Sequence, residues 1–348
     1  MNPWEQGSEF HWEDGDPDAA DDPEQAFLAG VAPSRFSSGR AALLELLVAL
    51  GRPRLWLPGY FCAEVVEFLR AAKLELAVYS DVPDRPVGAP VDAAPGDAVL
   101  VVDTFAARTP RSAAPLRSRG LVVVEDHTHD PTNAWAQTSD ADWCLASLRK
   151  TLPLPDGALL WSPRGHAGPA EPALVDRLDG RKLAAMLLKR MYLHGQAIDK
   201  SVHRTLAIAG ELAIAEAPGM STLSANLWPG FALARRRARR AQNLAVLADA
   251  LAGRLRMISG SHAILCFDSH ADRERVRERL IANRVYPAIL WPRVEWRDHE
   301  WPDQGSLSAE REFAERMLAI HVDARYGEAD MRRVAALIRD QGQLGSSV

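Results

Sequence analysis

Cysteine, lysine, excess positive charge and long apolar runs are all scarce in this sequence of 348 residues. Its three cysteines, Cys62, Cys144 and Cys266, are odd in number and far apart, so they indicate neither a disulfide framework nor a cysteine-rich zinc site. No apolar run approaches the roughly eighteen residues that suggest a membrane span. With 41 basic against 46 acidic side chains, the net charge of −5 argues against a nucleic-acid-binding surface.

The start of the chain is strongly acidic. Residues 1–25 contain nine acidic side chains and no Lys or Arg, the opposite of the basic start of a signal peptide. We therefore expect a soluble, cytoplasmic protein in a reducing compartment. Residues 1–33 are interpreted as an acidic N-terminal arm, which either docks on the body or on a partner, or extends as a solvated tail.

Apolar runs alternate with helical stretches through the first half of the chain. Continuous apolar strands separated by helices are typical of a parallel sheet that is buried on both faces. A further strand pair is predicted near 143–148 and 157–161, joined by the turn LPLPDG. The pattern predicts an α/β fold with a mostly parallel sheet flanked by helices. The apolar runs are RLWLP (54–58), LELAVYS (74–80), DAVLVV (97–102) and LVVVED (121–126).

The second half of the chain is more helical. Residues 171–215 are predicted to be helical, and a long helix is predicted over 231–255, with five Arg within six residues. This run is a weak nucleic-acid signal in an acidic protein, and a solvated or interface helix is expected instead. We divide the body into a large domain over 34–215, then an interdomain helix and a small α+β domain over 216–348.

Two motifs lie where a parallel sheet binds ligands. Ser37-Ser38-Gly39-Arg40 precedes a helix, whose free backbone N–H groups and dipole favour an anion, although such a turn is more often a simple cap. Glu125-Asp126-His127-Thr128-His129 follows a buried strand, and its carboxylates can hold a protonated ring nitrogen or a metal. The metal is the weaker alternative, because His127 and His129 face opposite sides of an extended segment.

The third motif is Ser147-Leu148-Arg149-Lys150, at the end of another predicted strand. A lysine at such a ligand site is costly unless its amine is used, because desolvation lowers the pKa of the amine and makes it nucleophilic. A phosphate turn, a strand-end acid and Ser-x-x-Lys, in that order, are expected for an enzyme that uses pyridoxal phosphate (PLP). That cofactor needs a phosphate cradle, an acidic partner for its pyridine nitrogen and a Schiff-base lysine.

With these motifs the sequence resembles the DegT/DnrJ/EryC1/StrS family of fold-type I, PLP-dependent aminotransferases over residues 34–340. The resemblance implies a large PLP-binding domain, a small C-terminal α+β domain, PLP as cofactor and a homodimer. The motifs that carry it are FSSGRAAL, LPGYFCAEVV followed by LAVYSDV, VVVEDHTH, SLRKTLPLPDGALL and LAIHVDARYGEADM.

The resemblance also implies roles for three residues in the reaction. Lys150 forms the Schiff base with the cofactor and then moves the proton between substrate carbon and cofactor. Asp126 pairs with the pyridinium nitrogen and keeps it protonated. His129 occupies the place where the family has a Gln or His near the phenolic oxygen of the cofactor.

Further residues are implied to hold the cofactor in place. Ser147 and the backbone around Gly39 and Arg40 bind the phosphate, and the Arg40 guanidinium can add a charge-assisted contact. The aromatic ring that stacks on the cofactor is Phe61 or Tyr60, with Phe61 slightly favoured.

Three features depart from the family pattern. A Gly-Thr pair is replaced by Gly39-Arg40, and the gap between the phosphate serine and the lysine is shorter than usual. The stretch 219–223, GMSTL, lacks the Asn and Arg of the family's Gly-x-Asn-x-Arg segment. The acceptor is therefore left open. In the unusual run 131–139, Asn133 and Trp135 either line an altered substrate side or, as is more common for such a run, fill a loop.

The leading hypothesis is an aminotransferase that moves an amino group from an amino-acid donor, glutamate, to a keto or aldehyde acceptor. A sugar nucleotide or a natural-product intermediate would serve as that acceptor. The alternatives are PLP-dependent elimination, decarboxylation or C–C bond formation, and a non-catalytic family member that binds a partner. Neither a metal, a nucleic acid nor a membrane is expected as a partner.

Overall fold

A computed structural model describes residues 4–7, 9–176, 180–214, 218–291 and 307–339. None of the helices within these ranges is both long enough and apolar enough to cross a membrane.

The described strands and helices alternate along the first half of the chain, as predicted. The strands are β1 (Gln6–Gly7), β2 (Ser34–Phe36), β3 (Leu55–Pro58), β4 (Leu76–Tyr79), β5 (Ala98–Val102), β6 (Val122–Asp126), β7 (Trp143–Ser147), β8 (Ala158–Trp161), β9 (Arg256–Ser259), β10 (His262–Cys266), β11 (Val285–Tyr286) and β12 (Met317–His321). The helices are α1 (Pro23–Gly30), α2 (Gly39–Ala49), α3 (Ala63–Ala71), α4 (Ala114–Arg117), α5 (Ala134–Thr138), α6 (Gly180–Leu193), α7 (Lys200–Ile214), α8 (Thr222–Leu227), α9 (Leu233–Leu251), α10 (His270–Ala282), α11 (Ser308–Arg316) and α12 (Glu328–Arg339).

The main sheet has seven strands in the order β2-β8-β7-β6-β5-β3-β4. The five strands from β7 to β4 are parallel, and β8 pairs antiparallel with both β7 and β2. The predicted mostly parallel sheet flanked by helices is therefore confirmed. The strand pair predicted around the LPLPDG turn is the antiparallel pair of β7 and β8.

Helices cover both faces of this sheet. Every residue of β5 and of β7 is buried, which is why these strands are apolar without alternation. One face packs against α2 and α3 through side chains such as Leu46 and Leu69. The other face packs against residues such as Trp135 and Leu116. The two layers leave the carboxyl ends of the parallel strands as the edge where side chains can meet a ligand.

A second, three-stranded antiparallel sheet forms from β9, β10 and β12, with β10 in the middle. Helices α9, α10 and α12 pack against it or against one another and enclose a core that includes Leu247, Val276 and Val334. Asn243, which is completely buried in α9, donates hydrogen bonds to the carbonyl oxygens of Val322 and Tyr326. The predicted strands and helices of the C-terminal part are thus present in an α+β arrangement.

The acidic arm docks on the body rather than extending into solvent, at least in its described residues. Its strand β1 pairs in parallel with β11. The Gly7 N–H donates to the Tyr326 hydroxyl at 2.9 Å, and the Trp4 indole donates to Asp330 at 2.6 Å. Gly7 has a φ of +92°, and a Cβ atom there would lie 2.0 Å from the carbonyl oxygen of Tyr286, so only glycine fits.

The arginine run of α9 binds the acids of this arm. The Arg236 guanidinium contacts Asp16 at 2.8 Å and Glu13 at 2.9 Å. Arg237 binds Glu24 of the arm and also contacts Asp130 at 2.6 Å. Of the two predicted alternatives, a solvated helix and an interface helix, the structure shows an interface, and its partner is the N-terminal arm of the same chain.

Helices α6 and α7 form an antiparallel hairpin in the region predicted to be helical. They approach closely, since a Cβ atom at Gly210 would lie 2.7 Å from the backbone nitrogen of Lys182. The prediction began this region too early, because residues 171–176 contain no helix. The outer face of α7 carries the exposed apolar side chains Ile208 and Leu212.

Replacing Arg236 with Ala is expected to lower the free energy of unfolding by about 2 kcal/mol, because it removes a cation that binds two partly buried carboxylates, those of Glu13 and Asp16. Urea denaturation measures this change. The control is Arg332→Ala, which removes an exposed i,i+4 pair with Glu328 and should cost less than about 0.5 kcal/mol. Equal losses in the two variants would contradict the role assigned to the docked arm.

Candidate functional site

The parallel pairing of β5, β6 and β7 brings three polar residues to one edge of the main sheet. Val102 pairs with Asp126, and Asp126 pairs with Leu145. Asp103 follows β5, Asp126 ends β6 and Ser147 ends β7. The strand-end acid and the serine of the Ser-x-x-Lys motif therefore lie on neighbouring strands, where this class of sheet binds ligands.

The first turn of α2 adjoins Ser147. Gly39 begins the helix, and Ser38 caps it by accepting a hydrogen bond from Ala41 N at 3.3 Å. A Cβ atom at Gly39 would lie 3.5 Å from the Cβ of Ser147. The Ser147 hydroxyl is buried and has no hydrogen-bond partner among the described residues. A buried hydroxyl without a partner costs about 1–3 kcal/mol. An anion bound at the helix N-terminus would satisfy this hydroxyl.

Asp126 lies beside this cradle and is linked to it through Thr128. The Thr128 N–H donates to Asp126 Oδ1 at 2.8 Å, and the Thr128 hydroxyl accepts from Ser147 N at 3.0 Å. Burial raises the pKa of the Asp126 carboxyl, whereas the Thr128 hydrogen bonds and the nearby imidazoles of His129 and His127 oppose that rise. The carboxylate is thus held in place by a neighbour on its own turn.

The rings of His127 and His129 point in different directions, as expected for an extended segment. The His127 ring enters the core and lies 3.0 Å from Glu125 Oε2. His129 Nδ1 accepts a hydrogen bond from Phe105 N at 2.6 Å, and the rings of His129 and Phe105 stack with centroids 5.6 Å apart. Burial lowers the pKa of His129, which favours the neutral ring. Its other nitrogen, Nε2, then carries the proton and can donate to an oxygen.

Lys150 ends a short 3₁₀ turn, Leu148–Lys150, directly after β7, and its side chain is exposed to solvent. The neighbouring Arg149 guanidinium lowers the pKa of the Lys150 amine, and the protein atoms around the amine lower it further. Arg149 itself binds Glu211 of α7 at 2.7 Å. The Arg149–Glu211 ion pair thus connects the turn that carries Lys150 to the α6–α7 hairpin.

Glu211 sits among several cations. Burial alone would raise the pKa of its carboxyl, but Arg149 and Lys182 outweigh burial and lower that pKa to about 2. Arg40 is turned towards the same helix, because its guanidinium donates to the Glu211 carbonyl oxygen at 3.3 Å and lies over the Phe68 ring. The Arg40 backbone belongs to the first turn of α2, whereas its guanidinium has a partner in α7.

The two candidate stacking residues, Tyr60 and Phe61, are both almost completely buried. The Tyr60 hydroxyl donates to Leu290 O at 3.0 Å, and its ring packs edge-on against Trp291 with centroids 4.7 Å apart. Phe61 lies 6.1 Å from the same Trp291 ring. The next residue, Cys62, is the N-cap of α3, and its thiol and the Lys150 amine are close enough to influence each other electrostatically.

The segment that replaces the family's Gly-x-Asn-x-Arg is tied to the β7–β8 turn. Asp156 of that turn accepts hydrogen bonds from the backbone N–H and the hydroxyl of Ser221, at 2.7 and 2.6 Å. Gly219 forms an isolated antiparallel bridge with Phe36. This segment is therefore held next to the start of α2 by polar contacts of its own.

Sequence reasoning missed three side chains that the structure places at the site: Cys62, Thr128 and Glu211. Thr128 could have been found, because a hydroxyl residue two positions after a strand-end acid commonly bonds within the turn. Cys62 lies inside the motif LPGYFCAEVV, in which only the aromatic residues carry a sequence signal for cofactor binding. Glu211 carries no local signal, because only the packing of α7 brings it to Arg149.

Solved structures show what this fold resembles. No family model matches the chain, and no curated protein matches its sequence. A DegT DnrJ EryC1 StrS aminotransferase from Brucella abortus aligns at 15% identity and a TM-score of 0.57, covering 91% of this chain and 90% of that one. The chain has the fold of this aminotransferase.

Two further aminotransferase-fold structures agree with this result. The Spr1654 protein of Streptococcus pneumoniae in its PLP form aligns at 11% identity and a TM-score of 0.61, covering 98% of each chain. The 3-amino-5-hydroxybenzoic acid (AHBA) synthase aligns at 14% identity and a TM-score of 0.62, covering 93% of this chain and 90% of that one. The large sheet and the C-terminal sheet are thus both part of the shared fold.

Lys150 is expected to react with an amine-directed acylating reagent faster than the exposed Lys73 at about pH 8, because a lowered pKa leaves more of its amine unprotonated. Mass spectrometry of short labelling pulses across pH gives the two profiles. Arg149→Gln should move the Lys150 profile to higher pH and leave that of Lys73 unchanged. Identical pH profiles for Lys150 and Lys73 in the unmodified protein would contradict a lowered pKa of the Lys150 amine.

Proposed function

We propose that this protein is a PLP-dependent aminotransferase of the DegT/DnrJ/EryC1/StrS type. The observation that carries the proposal is the buried, unpartnered hydroxyl of Ser147 beside Gly39 at the N-terminus of α2. This anion cradle lies on the same strand edge as Asp126 and within three residues of Lys150. Similar structures are named as sugar aminotransferases, one of them in a PLP form, and they support the same chemistry.

The residues at this edge fit the cofactor. The cofactor phosphate would be bound by the Ser147 hydroxyl and by the free N–H groups that begin at Gly39. The Asp126 carboxylate would accept a hydrogen bond from the protonated pyridine nitrogen, and His129 Nε2–H would donate a hydrogen bond to the phenolic oxygen of the cofactor. The stacking ring is proposed to be Phe61 or Tyr60, both of which are buried and lie close to the Trp291 ring.

PLP, when bound, withdraws electrons from the bond that is broken at the substrate carbon. The side chains of this chain then have three tasks. Asp126, fixed by Thr128, holds a proton on the ring nitrogen. His129, kept neutral by burial, supplies a hydrogen bond without adding charge. Lys150, whose pKa is lowered by Arg149, would hold the cofactor covalently through its amine and would carry a proton to or from the substrate carbon.

The substrates are an amino-acid donor, for which we propose glutamate, and a keto or aldehyde acceptor. A sugar nucleotide or a natural-product intermediate is proposed for the acceptor, because similar structures are named as a TDP-sugar enzyme and as AHBA synthase. We propose that the enzyme acts as a homodimer in the cytoplasm. The absence of Asn and Arg from 219–223 favours an acceptor that differs from those of typical sugar aminotransferases.

Lys150→Ala is expected to abolish the visible absorbance band that the purified protein forms with PLP, because no other amine lies at the end of β7. In the unmodified protein, addition of L-glutamate should convert this band to that of the pyridoxamine form. Lys73→Ala serves as the control and should leave both spectra unchanged.

The outcomes of this experiment separate the alternatives. A band that survives in Lys150→Ala would refute the assigned lysine. A Lys150-dependent band that ignores amino donors would move the function to PLP chemistry without transamination. No band in the unmodified protein would favour a non-catalytic binding protein.

Asp126→Asn is expected to keep PLP binding in part but to lower turnover by about 100-fold or more, because a neutral amide does not hold the ring nitrogen protonated. Single-turnover absorbance changes with glutamate measure this rate. Asp92→Asn, at an exposed position, should retain full activity. Full activity of Asp126→Asn would remove Asp126 from its assigned role.

A further inference from the structure

A histidine that faces away from the cofactor cradle is enclosed by acids. The His127 ring is completely buried between β5, β6 and β7. Its Nε2 lies 3.0 Å from Glu125 Oε2, and its Nδ1 lies 4.0 Å from Asp103 Oδ2. Both carboxylates are as deeply buried as the ring. Three ionisable side chains thus meet in the interior, directly behind the strand ends.

Other polar groups hold the two acids in place. Glu125 accepts from the Trp135 indole at 3.1 Å and from the Ser139 hydroxyl at 2.6 Å. Asp103 accepts a hydrogen bond from the side-chain amide of Asn133. These donors come from α5 and its flanking residues, so the acids cannot turn away from the ring without losing them.

The two acids favour a proton on the ring between them. Burial by itself lowers the pKa of His127, but Asp103, Cys144 and Glu125 outweigh burial and raise that pKa well above its usual value. Nε2 lies at hydrogen-bond distance from Glu125, whereas Nδ1 has no hydrogen-bond partner among the described residues and faces Asp103 at 4.0 Å. The surroundings of the ring therefore favour its charged form.

The same cluster is bonded to the turn that carries the cofactor-facing residues. The Asp103 N–H donates to the carbonyl oxygen of Asp126 at 3.0 Å. The His127 N–H donates to Leu145 O at 2.8 Å. Two residues after Asp103, Phe105 N donates to His129. The backbone of the cluster is therefore hydrogen-bonded to the residues that carry Asp126 and His129.

We propose that His127 is a positioning residue, a buried cation clamped between Asp103 and Glu125 that fixes the Asp126–His129 turn and keeps Asp126 ionised. This inference rests on the proposed function, because the turn matters to catalysis only when PLP is bound. Its charge acts across the backbone on a carboxylate that it does not touch, so it differs from the direct contacts of Thr128.

The sign of the pH effect follows from the groups around Asp126, which are Thr128, His127 and His129. Burial raises the pKa of Asp126, and the charge of His127 lowers it. Loss of that charge would raise the pKa of Asp126, so the carboxylate would become protonated at a higher pH. On acidification, cofactor binding that depends on this carboxylate would then be lost at a higher pH than in the unmodified protein.

The experiment compares PLP affinity between about pH 5 and pH 8 in the unmodified protein and in His127→Gln, using the visible band. Glutamine keeps a hydrogen bond to Glu125 without the charge. We expect several-fold weaker binding at neutral pH and an acid midpoint shifted to higher pH. His166→Gln, which removes an exposed His beside Asp142, is the matched control and should shift neither.

A structural role alone would lower the melting temperature without moving this midpoint, and that result would overturn the proposal. If His127→Gln does not fold, NMR of the His127 ring nitrogens in the unmodified protein decides the question, because the charged ring carries a proton on both nitrogens at pH 7. A neutral ring at that pH overturns the proposal. Absence of a PLP band in the unmodified protein would instead refute the proposed function.

Discussion

The parallel pairing of β6 between β5 and β7 is the constraint on which the candidate site depends. It aligns the ends of three strands, so that Asp103, Asp126 and Ser147 meet although they are far apart in sequence. A one-residue slip of β6 would turn Asp126 towards the core and Glu125 towards the cradle. Glu125 is held in the core by Trp135, which means that the register is fixed from the side opposite to the cofactor cradle.

Cations near the site and on α9 are neutralised by acids from elements that are distant in sequence. Glu211 of α7 binds Arg149, and the N-terminal arm supplies Asp16 to the arginine run of α9. Such pairs contribute less through their net Coulomb energy than through the cost of breaking them, because each partner is partly or largely buried. The acidic arm is therefore an integral part of the folded body.

Local patterns predicted the fold and the order of the site motifs well. Continuous apolar runs identify strands that are buried on both faces, and Lys150 and Asp126 are visible because each directly follows such a run. The partners of Asn133 and Trp135 could not be predicted. The sequence leaves both residues either on the substrate side or in a filler loop, yet Asn133 caps α5 and binds Asp103, and Trp135 donates to Glu125. Their contacts depend on how neighbouring strands align, which no local pattern encodes.

The docked arm has a consequence for how the chain reaches its native state. Residues 4–7 are synthesised long before their partners in β11 and in the segment around Tyr326 and Asp330. During translation the arm has no docking surface, and its acids remain hydrated while the main sheet assembles. Contacts of such large sequence separation form slowly and late, so docking of the arm should be among the last events of folding. The body must accordingly persist for a time with the arginines of α9 uncovered.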